Sequence, residues 1–172
     1  MRLLAPLFAA TILASCTAVP TPKPAPAPRP IPTYTPPPPP KPLAQDWRDW
    51  PYTPGDWRYV QDARGSTASF GTAGTAPLFT IRCDLAANSV QLTRAGTATA
   101  PVAVTIRTST MLRTLTLQPN GGMLAASIAP RDSLLEAMGF SRGRFVIEQQ
   151  GAPALVLPSW AEIERVTEDC RR

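Results

Sequence analysis

The chain has 172 residues, a formal net charge of +5 at neutral pH, 22 prolines, three cysteines and no histidine. Without histidine there is no Ser-His-Asp triad, no Cys-His pair and no histidine-ligated metal site. The positive charge also misleads as a whole: residues 46–172 hold all twelve acidic residues against thirteen arginines, so the foldable part is nearly neutral and offers no basic face for nucleic acid.

Arg2 supplies a positive charge and an apolar run, Leu3 to Leu13 (LLAPLFAATIL), follows it. A run this short falls below the roughly 20 residues that span a bilayer core. With small residues after it, the layout is that of a secretory signal. The run ends in Leu13-Ala14-Ser15-Cys16, and this LASC tetrapeptide resembles the lipobox of bacterial lipoproteins. The resemblance implies that residues 1–15 are a signal peptide cleaved before Cys16. It further implies that Cys16 carries lipid, palmitate included, on its sulfur and amine and so holds the protein to a membrane. In that family an aspartate after the cysteine retains the protein at the inner membrane. Thr17 therefore implies the periplasmic face of the outer membrane, or the outer face of the cytoplasmic membrane where the envelope has only one.

Residues 16–45 form the next unit, and thirteen of the 22 prolines fall in it, five of them in the run Pro36 to Pro40. Lys23, Arg29 and Lys41 are its only charges. Such a composition buries no core and is expected to stay disordered. Polyproline II rises about 3.1 Å per residue, so the stretch reaches roughly 80–90 Å when straight and reads as a spacer. The third unit, residues 46–172, is about 127 residues long, enough for one hydrophobic core.

That domain opens on DWRDWPYTPGDWRYV, residues 46–60, with Trp47, Trp50 and Trp57 beside Tyr52 and Tyr59 and a turn at Pro54-Gly55. Two roles fit these rings. Trp and Tyr favour binding surfaces and sugar faces, and they also close over the edge of a small core that needs its largest side chains.

Period-two alternation then dominates from Trp57 to Ala129. A strand is expected over 57–63, followed by a Gly/Ser/Thr/Ala-rich stretch to Ala76. Further strands are expected over 78–83, around Val90 and Leu92, over 102–106 and over 112–118. Pro119-Asn120-Gly121-Gly122 is a hairpin signal leading into a strand over 123–128. A short helix is expected from Pro130 to Met138, capped by Asp132 or Ser133 and ended by Gly139. Strands return over 145–149 and 154–157. Ser159 and Glu162 stand in capping-box relation before a last helix reaching about Cys170. The expected fold is mainly β, an antiparallel β-sandwich or open barrel with two short helices.

With Cys16 acylated, Cys83 and Cys170 have only each other as partners in an oxidising compartment. Cys83 shares strand parity with Phe79 and Ile81, and Cys170 shares a helical stripe with Trp160, Ile163 and Val166, so both are expected inside. Their bridge closes a loop of about 88 residues, worth about 4 kcal/mol on chain-entropy grounds.

Residues 46–172 contain no lysine, and no GxSxG, phosphate-binding or dinucleotide motif appears. The remaining acid/base candidates are carboxylates, of which Asp84, Asp132, Glu136 and Glu148 are the ones to inspect, since sugar hydrolysis needs two in one cleft. Their spacing singles out no pair, so the domain is read as non-enzymatic, without cofactor or metal. Ser141-Arg142-Gly143-Arg144 is the most suggestive polar cluster, because two guanidiniums in one turn hold a carboxylate or phosphate bidentately. The alternative is a solvated connection, with Glu148 as a partner. Arg82, Arg107 and Arg113 are expected to face outward and to line up as a row.

Across residues 77–170, a strand ending Ile81-Arg82-Cys83-Asp84, several alternating strands and a helix closing on Cys170 are distantly similar to the invasion-associated locus B family. That resemblance implies a small, disulfide-tied periplasmic β-sandwich. The function read from the chain is a membrane-anchored envelope lipoprotein whose β-domain binds a protein or peptidoglycan. A small inhibitor of a wall hydrolase such as lysozyme is the alternative, and a carboxylate-based hydrolase is a third. No sequence feature specifies the oligomeric state.

Overall fold

The computed structural model describes residues 44–172. The expected signal peptide, Cys16 and nearly all of the proline stretch therefore lie outside the described residues.

The domain is mainly β. Nine strands run β1 (Asp56–Asp62), β2 (Gly65–Gly71), β3 (Phe79–Asp84), β4 (Ser89–Ala95), β5 (Val102–Arg107), β6 (Leu112–Asn120), β7 (Met123–Ile128), β8 (Arg144–Gln149) and β9 (Leu155–Pro158). Helix α1 (Ser133–Gly139) follows β7, and α2 (Ala161–Asp169) follows β9. The strands form one sheet in the order β1-β2-β3-β4-β7-β6-β5-β8-β9, antiparallel at every pairing.

Strand β6 carries the chain between the two halves. Its first part, through Leu117, pairs with β5, while Gln118 to Asn120 pair with β7. The two halves face each other, and the gap between the end strands is bridged just before β1. There Thr53 N–H donates to the Val156 carbonyl at 3.0 Å, and Val156 N–H donates to Thr53 Oγ1 at 2.9 Å. The result is an open barrel.

Alternation explains which residues are inside. Phe79, Ile81 and Cys83 of β3, Val90 and Leu92 of β4, and Phe145 and Ile147 of β8 are fully buried in one core cluster. Trp57 joins them, 5% exposed and packed edge-on against Phe70 and Phe79 at centroid distances of 5.4 and 6.4 Å. The hairpin after β6 forms where expected. Asn120 and Met123 pair across Gly121 and Gly122, whose φ angles of 55° and 86° are the positive values a two-residue turn of this hand requires.

The helices fill one end of the barrel. Cys83, on the inward face of β3, is bonded to Cys170 at the end of α2, with Cα atoms 5.4 Å apart. Helix α2 buries Ile163, Val166 and Thr167 and packs on β1, β2 and β3 as well as on α1. Asp132 caps α1, its carboxylate accepting from Leu134 N–H.

Three local expectations are corrected. The small-residue stretch after β1 contains strand β2, whose inward Ser66 and Ala68 are buried and leave the room that α2 occupies. The capping box does not form: Trp160 is the N-cap of α2 without a side-chain bond, and buried Ser159 Oγ has no partner. Trp160 is also 46% exposed rather than inward, because it precedes the first helical turn.

Candidate functional site

Of the residues singled out from sequence, Trp50, Trp57 and Arg144 meet at β8 and β9. Trp57 belongs to the core, its indole N–H donating to the Pro158 carbonyl at 2.8 Å, so it is no surface for a partner. Trp47 and Trp50 are half-buried, and Trp50 Nε1 donates to the Ala44 carbonyl at 2.7 Å. Arg144 meets this aromatic segment directly. Its guanidinium donates to the Trp50 carbonyl and stacks 4.1 Å over the Tyr52 ring, and Tyr52 Oη in turn donates to the Gly143 carbonyl. Arg142, in contrast, is exposed. The two arginines of the turn therefore do not converge on one anion. Arg144 fastens Trp50 and Tyr52 to β8, so the aromatic segment and the arginine turn form one structural seam.

The carboxylates are likewise engaged one by one. Glu148 pairs with Arg107 at 3.0 Å, Asp132 with Arg113, Glu136 with Arg171 at 3.0 Å, and Asp84 accepts from Ala87 N–H at 3.0 Å. Arg82 reaches Asp62 and Thr67. The expected arginine row is absent among the described residues, because each member turns to its own acceptor. Arg113, opposite Ile106 in the register, lies on the inward face of β6 where α1 begins. No group of three or more Cys, Asp or Glu among the described residues is placed to hold a metal ion.

The site that sequence reasoning passed over lies at the other end of the barrel. A cavity of about 610 Å³ opens between the ends of β3 and β4 on one side and the β8–β9 hairpin on the other. Its wall is mostly apolar, with Pro54, Leu78, Pro153 and Leu155 among the lining residues, and it contains no acidic side chain. One full charge stands in it. Arg94 continues the inward series Val90, Leu92 along β4 and is only 4% exposed.

Three of the five N–H bonds of that guanidinium have acceptors, all neutral. Nη1 donates to the Ala95 carbonyl at 3.1 Å and to Gln149 Oε1 at 2.9 Å, and Nη2 donates to the Pro153 carbonyl at 2.7 Å. Nε–H is buried without a partner. No carboxylate offsets the charge, and burial alone pulls the Arg94 pKa below the ordinary arginine value. An unpaired buried cation costs several kcal/mol, which a fold spends only where something returns it. A small cleft of about 310 Å³ between Tyr52, Asp56 and Trp160 carries no such charge anomaly.

No protein-family model, curated protein or solved structure matches the chain.

Proposed function

We propose that the protein is a lipid-anchored envelope protein, non-enzymatic, whose β-domain binds a partner at the open mouth of its barrel. The anchoring half of this reading rests on the lipobox resemblance at Leu13 to Cys16 and on the proline-rich composition of residues 16–45, which suits a spacer. No helix among the described residues is long and apolar enough to cross a membrane, so the domain itself contributes no helical span. The observation that carries the binding half is the cavity around Arg94: it has the size of small-molecule sites, about 300–1,000 Å³, with an apolar wall and one aimed charge. The four carboxylates singled out from the sequence, Asp84, Asp132, Glu136 and Glu148, are each tied separately to an arginine or a turn N–H, which supports reading the domain as a binding module.

Cell fractionation tests the anchor. The intact chain is expected in the membrane fraction, and Cys16→Ser in the soluble envelope fraction. Retention of Cys16→Ser on membranes contradicts the reading.

The turn after α1 supports the inhibitor alternative. Phe140 is 72% exposed there, beside exposed Arg142, on a turn braced by Ser141 Oγ, which accepts from Ser109 N–H at 2.9 Å. Stoichiometric inhibition of a muramidase that is lost with Phe140→Ser supports it, and no inhibition across several wall hydrolases removes it.

A further inference from the structure

We propose that the barrel mouth is a carboxylate-binding site, with Arg94 as its anchor and the apolar wall receiving a compact apolar body attached to the carboxylate. This assignment rests on the reading of the domain as a binding module and names the chemistry of its ligand.

The charge sets the sign of the ligand. Arg94 is 96% removed from solvent, yet its acceptors are two backbone carbonyls and one side-chain amide, none of them charged. A guanidinium in this state is matched by a carboxylate, whose two oxygens fit its planar fork. Nε–H has no acceptor in the protein, and only one acceptor is shown for the two hydrogens of Nη2. A carboxylate beside the guanidinium supplies the negative charge that none of its three protein acceptors carries.

The wall sets the rest of the ligand. Pro54, Leu78, Pro153 and Leu155 offer apolar surface, while the only other polar side chains lining the cavity are Thr53, Thr97 and Gln149. A highly charged ligand such as a polyphosphate finds a single cation here, whereas a monocarboxylate with an aliphatic or small-peptide body is matched in both charge and polarity. Two sources share this chemistry: a free aliphatic acid and the carboxyl terminus of a short peptide rich in small residues.

Arg94 also clamps the β8–β9 hairpin through Gln149 and Pro153, so the test must separate recognition from bracing. The intact purified chain is titrated with hexanoate and with N-acetyl-alanyl-alanine, each beside its neutral primary amide, while the Arg94 Nε–H resonance is followed by NMR. Saturable shifts are expected with at least one carboxylate, and at least tenfold weaker binding with the matching amide. Saturation by the dipeptide assigns a peptide terminus, saturation by hexanoate a free acid. Arg94→Met is expected to abolish binding, but it removes the clamp as well. Gln149→Glu keeps the clamp and supplies a resident carboxylate beside Nη1, so it is expected to stay folded and to lose binding more than tenfold.

No response to either carboxylate, equal binding of acids and amides, or wild-type affinity in Gln149→Glu overturns the assignment. Those outcomes leave the membrane fractionation of Cys16→Ser untouched, and a failed fractionation leaves the titration untouched, so the two readings fail separately.

Discussion

Gln149 Oε1 accepts from Arg94 Nη1 at 2.9 Å across the barrel mouth, tying the last residue of β8 to the penultimate residue of β4. The two strands are not neighbours in the sheet, so this bond joins opposite walls of the barrel. It does so with a neutral acceptor facing a buried charge. A Gln149→Glu chain is therefore expected to be more stable than the parent by about 1 kcal/mol, since a bond between two charged groups is stronger than one with a neutral amide. Urea denaturation reads this directly, and a destabilised variant shows that the mouth has no uncompensated charge to satisfy.

The Cys83–Cys170 bridge, 87 residues apart in sequence, staples α2 into the far end of the barrel. Cys83→Ala with Cys170→Ala is expected to lower unfolding free energy by about 2–4 kcal/mol, most of it through the unfolded chain. Denaturant titration with and without reductant checks it. The reduced parent and the double variant should coincide, and an unchanged midpoint in both removes the staple from the account.

Arg144 is the fastening of the segment that closes the barrel gap. Replacing it with alanine removes the bond to the Trp50 carbonyl and the stack on Tyr52, at an expected cost of about 1–2 kcal/mol. The loss should be local first. Amide hydrogen exchange is expected to accelerate at Thr53 and Val156, which bond across the gap, while Ile81 in the middle of the sheet stays protected. Uniform acceleration contradicts a local role.

Glu164 gives the domain a pH dependence. Its Oε1 is buried without a partner against Gly139, where a Cβ would lie 1.6 Å from that oxygen. Burial raises its pKa, Arg171 opposes the shift, and Glu168 and Glu136 add to it. A carboxyl whose folded pKa is raised contributes stability while protonated and loses it as pH rises from the ordinary carboxyl range through the raised value. Glu164→Gln mimics the protonated form. It is expected to melt higher than the parent at pH 7, with the difference closing as pH falls below the ordinary carboxyl range. A difference constant with pH places the effect elsewhere.

Most of the fold was legible in the alternation. Phe79, Ile81 and Cys83, or Val104 and Ile106, write their own inward face, and Asp132 and Gly121-Gly122 write a cap and a turn. Strand β2 was not, because its inward Ser66 and Ala68 are small to seat a helix distant in sequence, and small residues carry little periodic signal. The site was only half visible. Attention goes to Arg142 and Arg144 because they stand together in a turn, yet one is exposed and the other holds backbone. The informative arginine continues an apolar series, Val90, Leu92, Arg94, and its partner does the same in Phe145, Ile147, Gln149. A polar residue at an inward strand position was the available sign. Its meaning depended on which strand ends meet, and that lies in the topology.

The most direct test of the tethered binding module is photo-crosslinking in intact cells from two positions at opposite ends of the barrel. Thr97 lies exposed at the mouth, and Leu85, 49% exposed, lies in the β3–β4 turn at the helix-capped end. A photoreactive residue at Thr97 is expected to capture one dominant envelope protein or wall fragment, with capture lost in Gln149→Glu, while Leu85 captures neither. Equal capture from both positions, or capture from Leu85 alone, contradicts a partner bound at the mouth.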